Sequence, residues 1–187
     1  NENEVELGSF WNKVVQVGPF GDYPHLHQYF LPVMCQQCDD SPCTHVCPTG
    51  ASYRDGNNVV LIDREKCIGC KYCMMACPYG VRDWNKASKT VEKCTLCGHL
   101  TANGELPACV KSCSAGARFY GDLDDPNSEA AKVVAAAGEN AHYLFDPADL
   151  HPTTVYILSE KTAKWQEEPV EVCLLYTSPS PRDPKTS

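Results

Sequence analysis

No apolar run in this chain approaches the roughly 18 residues that a membrane-spanning helix needs, so the chain is not itself expected to span a bilayer. Basic residues are also short: 16 Lys and Arg stand against 24 Asp and Glu, a net charge of −8. A nucleic-acid face needs a basic surface, so nucleic-acid binding is not expected. Helical pattern is scarce too. Asp125 can cap a single good helix, with Pro126 in its first turn, SEAAKVVAAA along its length and Gly138 at its end. The chain opens NENEV, without initiator methionine, basic n-region or apolar h-region, as expected of a piece cut from a longer protein. Residues 173–187, CLLYTSPSPRDPKTS, lack apolar periodicity, and their first eleven residues resemble the in-frame translation of a transposase sequencing adapter. They are set aside as an expected artefact of sequencing, and Cys173 with them. The remainder carries 14 basic and 23 acidic residues, a net charge of −9, once Arg182, Lys185 and Asp183 are removed.

Cysteine, by contrast, is abundant. Of thirteen, twelve fall into three quartets. Cys35, Cys38, Cys43 and Cys47 are followed by Pro48, in the spacing C-x2-C-x4-C-x3-C-P. Cys67, Cys70, Cys73 and Cys77 are followed by Pro78, in the spacing C-x2-C-x2-C-x3-C-P. Cys94, Cys97, Cys109 and Cys113 form C-x2-C-x11-C-x3-C. The second quartet resembles the bacterial ferredoxin run, in which three close thiolates hold one [4Fe–4S] cube and the fourth reaches the other cube of a pair. A short helical turn carries that fourth cysteine away, and proline stops the turn because it cannot donate the next hydrogen bond. Zinc ribbons also use C-x2-C pairs, but the pairs stand apart and total four ligands. A disulfide scaffold belongs to short secreted domains and leaves two Cys-Pro endings unexplained.

Quartets one and two repeat one unit about thirty residues apart. Crossed ligation then assigns Cys35, Cys38, Cys43 and Cys77 to one cube (A), and Cys67, Cys70, Cys73 and Cys47 to another (B). In the third quartet, Cys94, Cys97 and Cys109 lack a fourth thiolate (C), and Cys113 serves a cube whose other ligands are missing (D). A quartet upstream of Asn1 would complete both.

The fold class expected is α+β: a ferredoxin-like, bacterial two-[4Fe–4S] repeat with insertions and short strands. Strands are expected at Trp11–Val17, His27–Met34, Asn58–Ile62, Ala117–Tyr120, His142–Phe145 and Thr154–Leu158. A hairpin is expected from Val81–Trp84 through a turn at Lys86–Ser88 to Thr90–Glu92. The eleven residues between Cys97 and Cys109 read as a polar insertion with a turn at Asn103-Gly104. The organisation is lead-in strands over 1–34 and the cluster region over 35–121, with motifs at 35–47, 67–77 and 94–113. A helix and strands over 122–172 come next, and then the artefact over 173–187.

YFLPVMCQQCDDSPCTHVCPTGA, DREKCIGCKYCMMACPYGVR, EKCTLCGHL…LPACVKSCSAGARFYGDLDDPNS and TTVYILSEKTAKW together resemble the four-cluster iron–sulfur subunit of one molybdoenzyme family. That family comprises the dimethyl sulfoxide, polysulfide, thiosulfate and tetrathionate reductases. The resemblance covers nearly all of residues 1–172, and NENEV resembles the segment just after the family's first cysteine quartet. It implies an electron wire of four cubes with no catalytic residue, running from a quinol-oxidising membrane anchor to a molybdopterin catalytic subunit. It also implies membrane association through those partners, on the exported face by twin-arginine co-transport in preference to the cytoplasmic face. Ser114 departs from the family's proline after the last cysteine. With all twelve positions Cys, [4Fe–4S] clusters are expected throughout. Alternatives are a polyferredoxin-type subunit of a hydrogenase or formate dehydrogenase complex, and a structural zinc protein.

His45, His99, Lys66, Lys71, Lys93 and Lys111 flank the ligand cysteines and could tune the clusters, with a packed or solvated role as the default. Trp11, Tyr29, Tyr72, Tyr79 and Trp84 interleave the loops and are expected to shield the clusters from water.

Overall fold

The β-branched and aromatic residues of NKVVQVGPF and HQYFLPVM build the longest ladder of the protein. The computed structural model describes residues 2–5, 8–144, 149–159 and 162. In it β1 (Asn12–Phe20) pairs antiparallel with β2 (His27–Met34), setting Val15 opposite Leu31 and Val17 opposite Tyr29. Val17 and Leu31 point inward and meet Leu144, with Val15, Tyr79 and Tyr156 packed around them. The two strands expected here are thus present, β1 running three residues beyond Val17.

Two shorter hairpins succeed it: β3 (Ser52–Arg54) with β4 (Val60–Ile62), and β5 (Asp83–Asn85) with β6 (Thr90–Glu92). Each hairpin ends just before a cysteine loop: β2 before Cys35, β4 before Cys67, β6 before Cys94. A four-residue helix then carries the third cysteine of each quartet: Cys43 in α1 (Pro42–His45), Cys73 in α2 (Tyr72–Met75) and Cys109 in α4 (Ala108–Lys111). Between the two halves of the last quartet lies α3 (Gly98–Thr101). The helix α1 lies against α2 and β3. Val60 and Val91 fill the space between Cys43 and Cys73, with Ile62, Met74 and Trp84 around them, forming a second core.

Several expectations are corrected. Residues 117–120 form no strand; the Ala117 amide donates to Cys113 Sγ at 3.3 Å instead of to a ladder partner. The polar insertion contains α3, where a turn alone was expected. The one long helix, α5 (Glu129–Ala137), is capped by Ser128, whose Oγ accepts from the Ala131 amide at 3.1 Å. Asp125 instead closes a turn on the Asn127 amide, which keeps Pro126 outside the helix. Gly138 does end it. The closing strands are shorter than expected, β7 (Ala141–His142) pairing with β8 (Tyr156–Ile157). Phe145 and residues 163–187, Cys173 among them, lie outside the described residues.

Candidate metal centre

The loops are shaped by backbone before any side chain acts. In the first C-x2-C segment of each quartet the residue before the second cysteine is left-handed: Gln37 at φ +49°, Gly69 at +70° and Leu96 at +51°. That kink curls successive thiols around a common centre. At Gly69 it cannot be relaxed, because a Cβ there would stand 2.8 Å from the Trp84 ring and 2.9 Å from the Lys89 carbonyl. The fourth cysteine of each quartet closes a turn, its carbonyl accepting from the amide three residues on: Gly50 to Cys47, Gly80 to Cys77, Gly116 to Cys113. The third turn therefore forms with Ser114 in place of proline.

Two cavities result. One, of about 330 Å³ with its mouth included, is ringed by Cys35, Cys38, Cys43 and Cys77. The other, of similar size, is ringed by Cys47, Cys67, Cys70 and Cys73. Each takes three cysteines from one loop and the fourth from its neighbour. The cysteines of both rings are free thiols. Among the described residues no three His, Cys, Asp or Glu side chains converge on a single ion. Thiols spread around a cavity suit a cube with iron at its corners and do not suit one zinc at a point.

The thiols also feel each other. The Cys38 thiol is pushed up to about 12 by burial first and then by Cys35, Cys43 and Cys77. Burial likewise raises Cys73, Arg82 opposes it, and Cys47 and Cys67 add to the rise. For Cys47 burial is outweighed by hydrogen bonds from Ser52 and Thr49, leaving its pKa lowered. Sulfur accepting hydrogen bonds from backbone amides is a recognised means of tuning a cluster.

The third quartet is less gathered. Burial raises Cys94 to about 11, the Leu96 amide opposes it, and Cys35 and Cys109 act on it as well. Cys97 is buried and accepts from Asn3 Nδ2 at 3.4 Å. Cys109 is exposed and Cys113 half-buried. None of the four lines either of the two cavities.

Among the flanking residues, His45 and His99 are exposed and face Asp40 and Glu2, while Lys66 and Lys111 pair at the surface with Asp63 and Glu105. Lys71 is exposed and stacks over Trp84, 4.3 Å from its ring centre. Lys93 departs from the solvated default: it is 2% exposed, with Nζ donating to the Val60 carbonyl and, at 2.8 Å, to that of Cys94. Trp84 packs on the second core, and Tyr29 and Tyr79 on the first. Tyr72 is 55% exposed and joins neither core. Sequence reasoning missed Arg82, which is 3% exposed and donates from Nη2 to Cys43 Sγ at 2.7 Å and to Ser52 Oγ at 2.9 Å. Its position five residues after Cys77 was the available signal.

The model of the 4Fe–4S dicluster domain matches residues 26–123, just over half of the 187. The chain is 38% identical over 201 residues to a Halobacterium salinarum protein provisionally named as a dimethyl sulfoxide reductase iron–sulfur subunit, covering 91% of this chain and 76% of that one. It is 41% identical over 162 residues to a sulfite dehydrogenase subunit of Allochromatium vinosum, covering 83% and 66%. It is 41% identical over 134 residues to protein NrfC of Escherichia coli, covering 71% of this chain and 60% of that protein's length. Two four-cysteine cavities, a family model laid over both, and relatives of this extent lead to one conclusion: the chain belongs to the 4Fe–4S dicluster family, whose iron–sulfur subunits hold [4Fe–4S] clusters.

Proposed function

We propose that this chain relays single electrons between a quinol-oxidising membrane anchor and a molybdopterin catalytic reductase subunit. The observation that carries the reading is the pair of neighbouring cavities, each completed by a cysteine of the other's loop. On it, Cys35, Cys38, Cys43 and Cys77 ligate one cluster, and Cys67, Cys70, Cys73 and Cys47 a second, in a bacterial ferredoxin repeat with insertions. The clusters supply one-electron chemistry, and no side chain need act as acid, base or nucleophile. The chain's own task is to hold the thiols, exclude water and set the local charge. Val60, Val91 and Trp84 do the excluding from the shared core.

Cys94, Cys97 and Cys109, together with Cys113, are proposed ligands of two further clusters completed by cysteines outside this sequence. In support, Glu2 and Asn3 lie against this loop, facing His99 and Cys97. The names of the relatives, dimethyl sulfoxide reductase and sulfite dehydrogenase among them, support a molybdoenzyme partner. Membrane association is proposed to come through the partners, on the exported face; among the described residues no helix is long and apolar enough to cross a membrane.

Anaerobic reconstitution tests the reading. The chain should turn brown and bleach with dithionite, and the reduced chain should be reoxidised by a molybdopterin subunit in the presence of its acceptor. Cys77→Ser should alter the EPR signal of the cluster held by Cys35, Cys38 and Cys43, and Cys47→Ser that of the other. If each variant instead damages the cluster of its own loop, the assignment fails.

A further inference from the structure

Arg82 is buried with no carboxylate to pair with: none of the ion pairs among the described residues includes it. A buried guanidinium in that position is costly unless other negative charge stands nearby. What stands nearby is sulfur from both cavities. Nη2 touches Cys43, which lines the first, and Ser52, which lines the second. The same guanidinium acts on Cys73 of the second cavity, opposing the rise that burial gives that thiol. Nη1 is buried and has no hydrogen-bond partner. Arginine presents five donors in a rigid planar fork, so one side chain can serve acceptors on two sides at once.

We infer that Arg82 is a positioning residue shared by the two clusters, a fixed positive charge wedged between the cavities that raises both reduction potentials together. Adding an electron makes each site more negative, and a cation beside it favours the reduced form most strongly in a low-dielectric interior. A charge that touched one site alone would move one potential alone. Placement between a ligand of each cavity makes the two respond as a pair.

This inference rests on the reading that both cavities hold clusters. The test is a redox titration followed by EPR on the full, anaerobically loaded chain, its Arg82→Gln variant and its Arg82→Lys variant. Arg82→Gln should weaken reduction of both clusters about tenfold or more, which for a one-electron couple is about 59 mV or more downward. Arg82→Lys, which keeps the charge, should hold both potentials within that tenfold band. The inference is overturned if both clusters are present and only one potential moves, or neither. It is also overturned if the lysine variant falls as far as the glutamine one. Should Arg82→Gln shed its iron, the lysine variant decides: loaded with unmoved potentials it supports the inference, and unloaded or displaced it assigns Arg82 to the fold alone. A wild-type chain that takes up no iron would instead defeat the cluster reading itself.

Discussion

Burial holds the Cys38 thiol up to about 12 and the Cys94 thiol up to about 11 in the cluster-free fold, against an ordinary 9.0. A raised folded pKa means that the folded chain binds these protons more tightly than the unfolded one. The stability they lend is therefore complete below pH 9 and disappears as pH climbs through the folded values. Ligation to iron requires the thiolates, so loading removes this dependence for a ligating thiol. Thermal unfolding of the cluster-free chain should show Tm falling between about pH 9 and about pH 11, and falling less in Cys38→Ser. An equal fall in both would remove the thiol as its source. Lys93 extends the argument to charge. Its ammonium is buried against two carbonyls, with Cys43 and Cys94 near enough to feel it. Lys93→Met should cost the loaded chain more stability than the cluster-free chain, because only loading fills this core with thiolates. Equal costs in the two states would mean that Lys93 serves the carbonyls alone.

Among the elements, the second loop depends on one glycine. Gly69→Ala would place a methyl against the Lys89 carbonyl and the Trp84 ring, at a left-handed φ. Strain of this kind costs on the order of 1–3 kcal/mol. Iron should fall toward half, with the EPR signal of the Cys67, Cys70 and Cys73 site lost first; full iron with both signals intact would show that the loop can shift. This loop was legible in sequence because C-x2-C-x2-C-x3-C-P fixes its chemistry and Gly69 sits inside it. So were β2 and β6, whose β-branched and aromatic residues abut the motifs. The three-residue β3 was not legible, since Ser-Tyr-Arg carries too few alternations to register and forms by pairing with β4. For the same reason α3, four residues long, gave no helical period. Residues 117–120 misled because Ala-Arg-Phe-Tyr has strand composition, while its first amide is taken by sulfur. Spacing placed Lys93 and Arg82 beside the motifs, but their burial follows only from the loops closing over them.

At the scale of the molecule, the first cysteine loop is fastened by the far end of the chain. The Asp39 and Asp40 amides donate to the carbonyls of His151 and Leu150, and the Thr153 amide donates to that of Gln36. Thr153 Oγ1 reaches the Gln37 carbonyl at 3.1 Å, and Tyr156 Oη the Pro32 carbonyl at 3.0 Å. These contacts join residues more than a hundred positions apart, so the ring of Cys35, Cys38 and Cys43 is held on one side by residues 150–156. The second ring is local by comparison; its lining residues all lie between Cys47 and Val91. Two truncations should therefore behave differently. A chain ending at Val172 should keep its iron, its EPR signals and its Tm, since both rings and the strap remain. A chain ending at residue 148 loses β8 and the three backbone hydrogen bonds to the first loop, the latter on the order of 3 kcal/mol in all, and with them the brace of that loop. Its expected state is about four irons instead of eight, with the cluster of the Cys67 loop surviving. Equal loss of both signals would show that the rings fold as one cooperative unit, and loss on cutting at Val172 would give residues 173–187 a structural part.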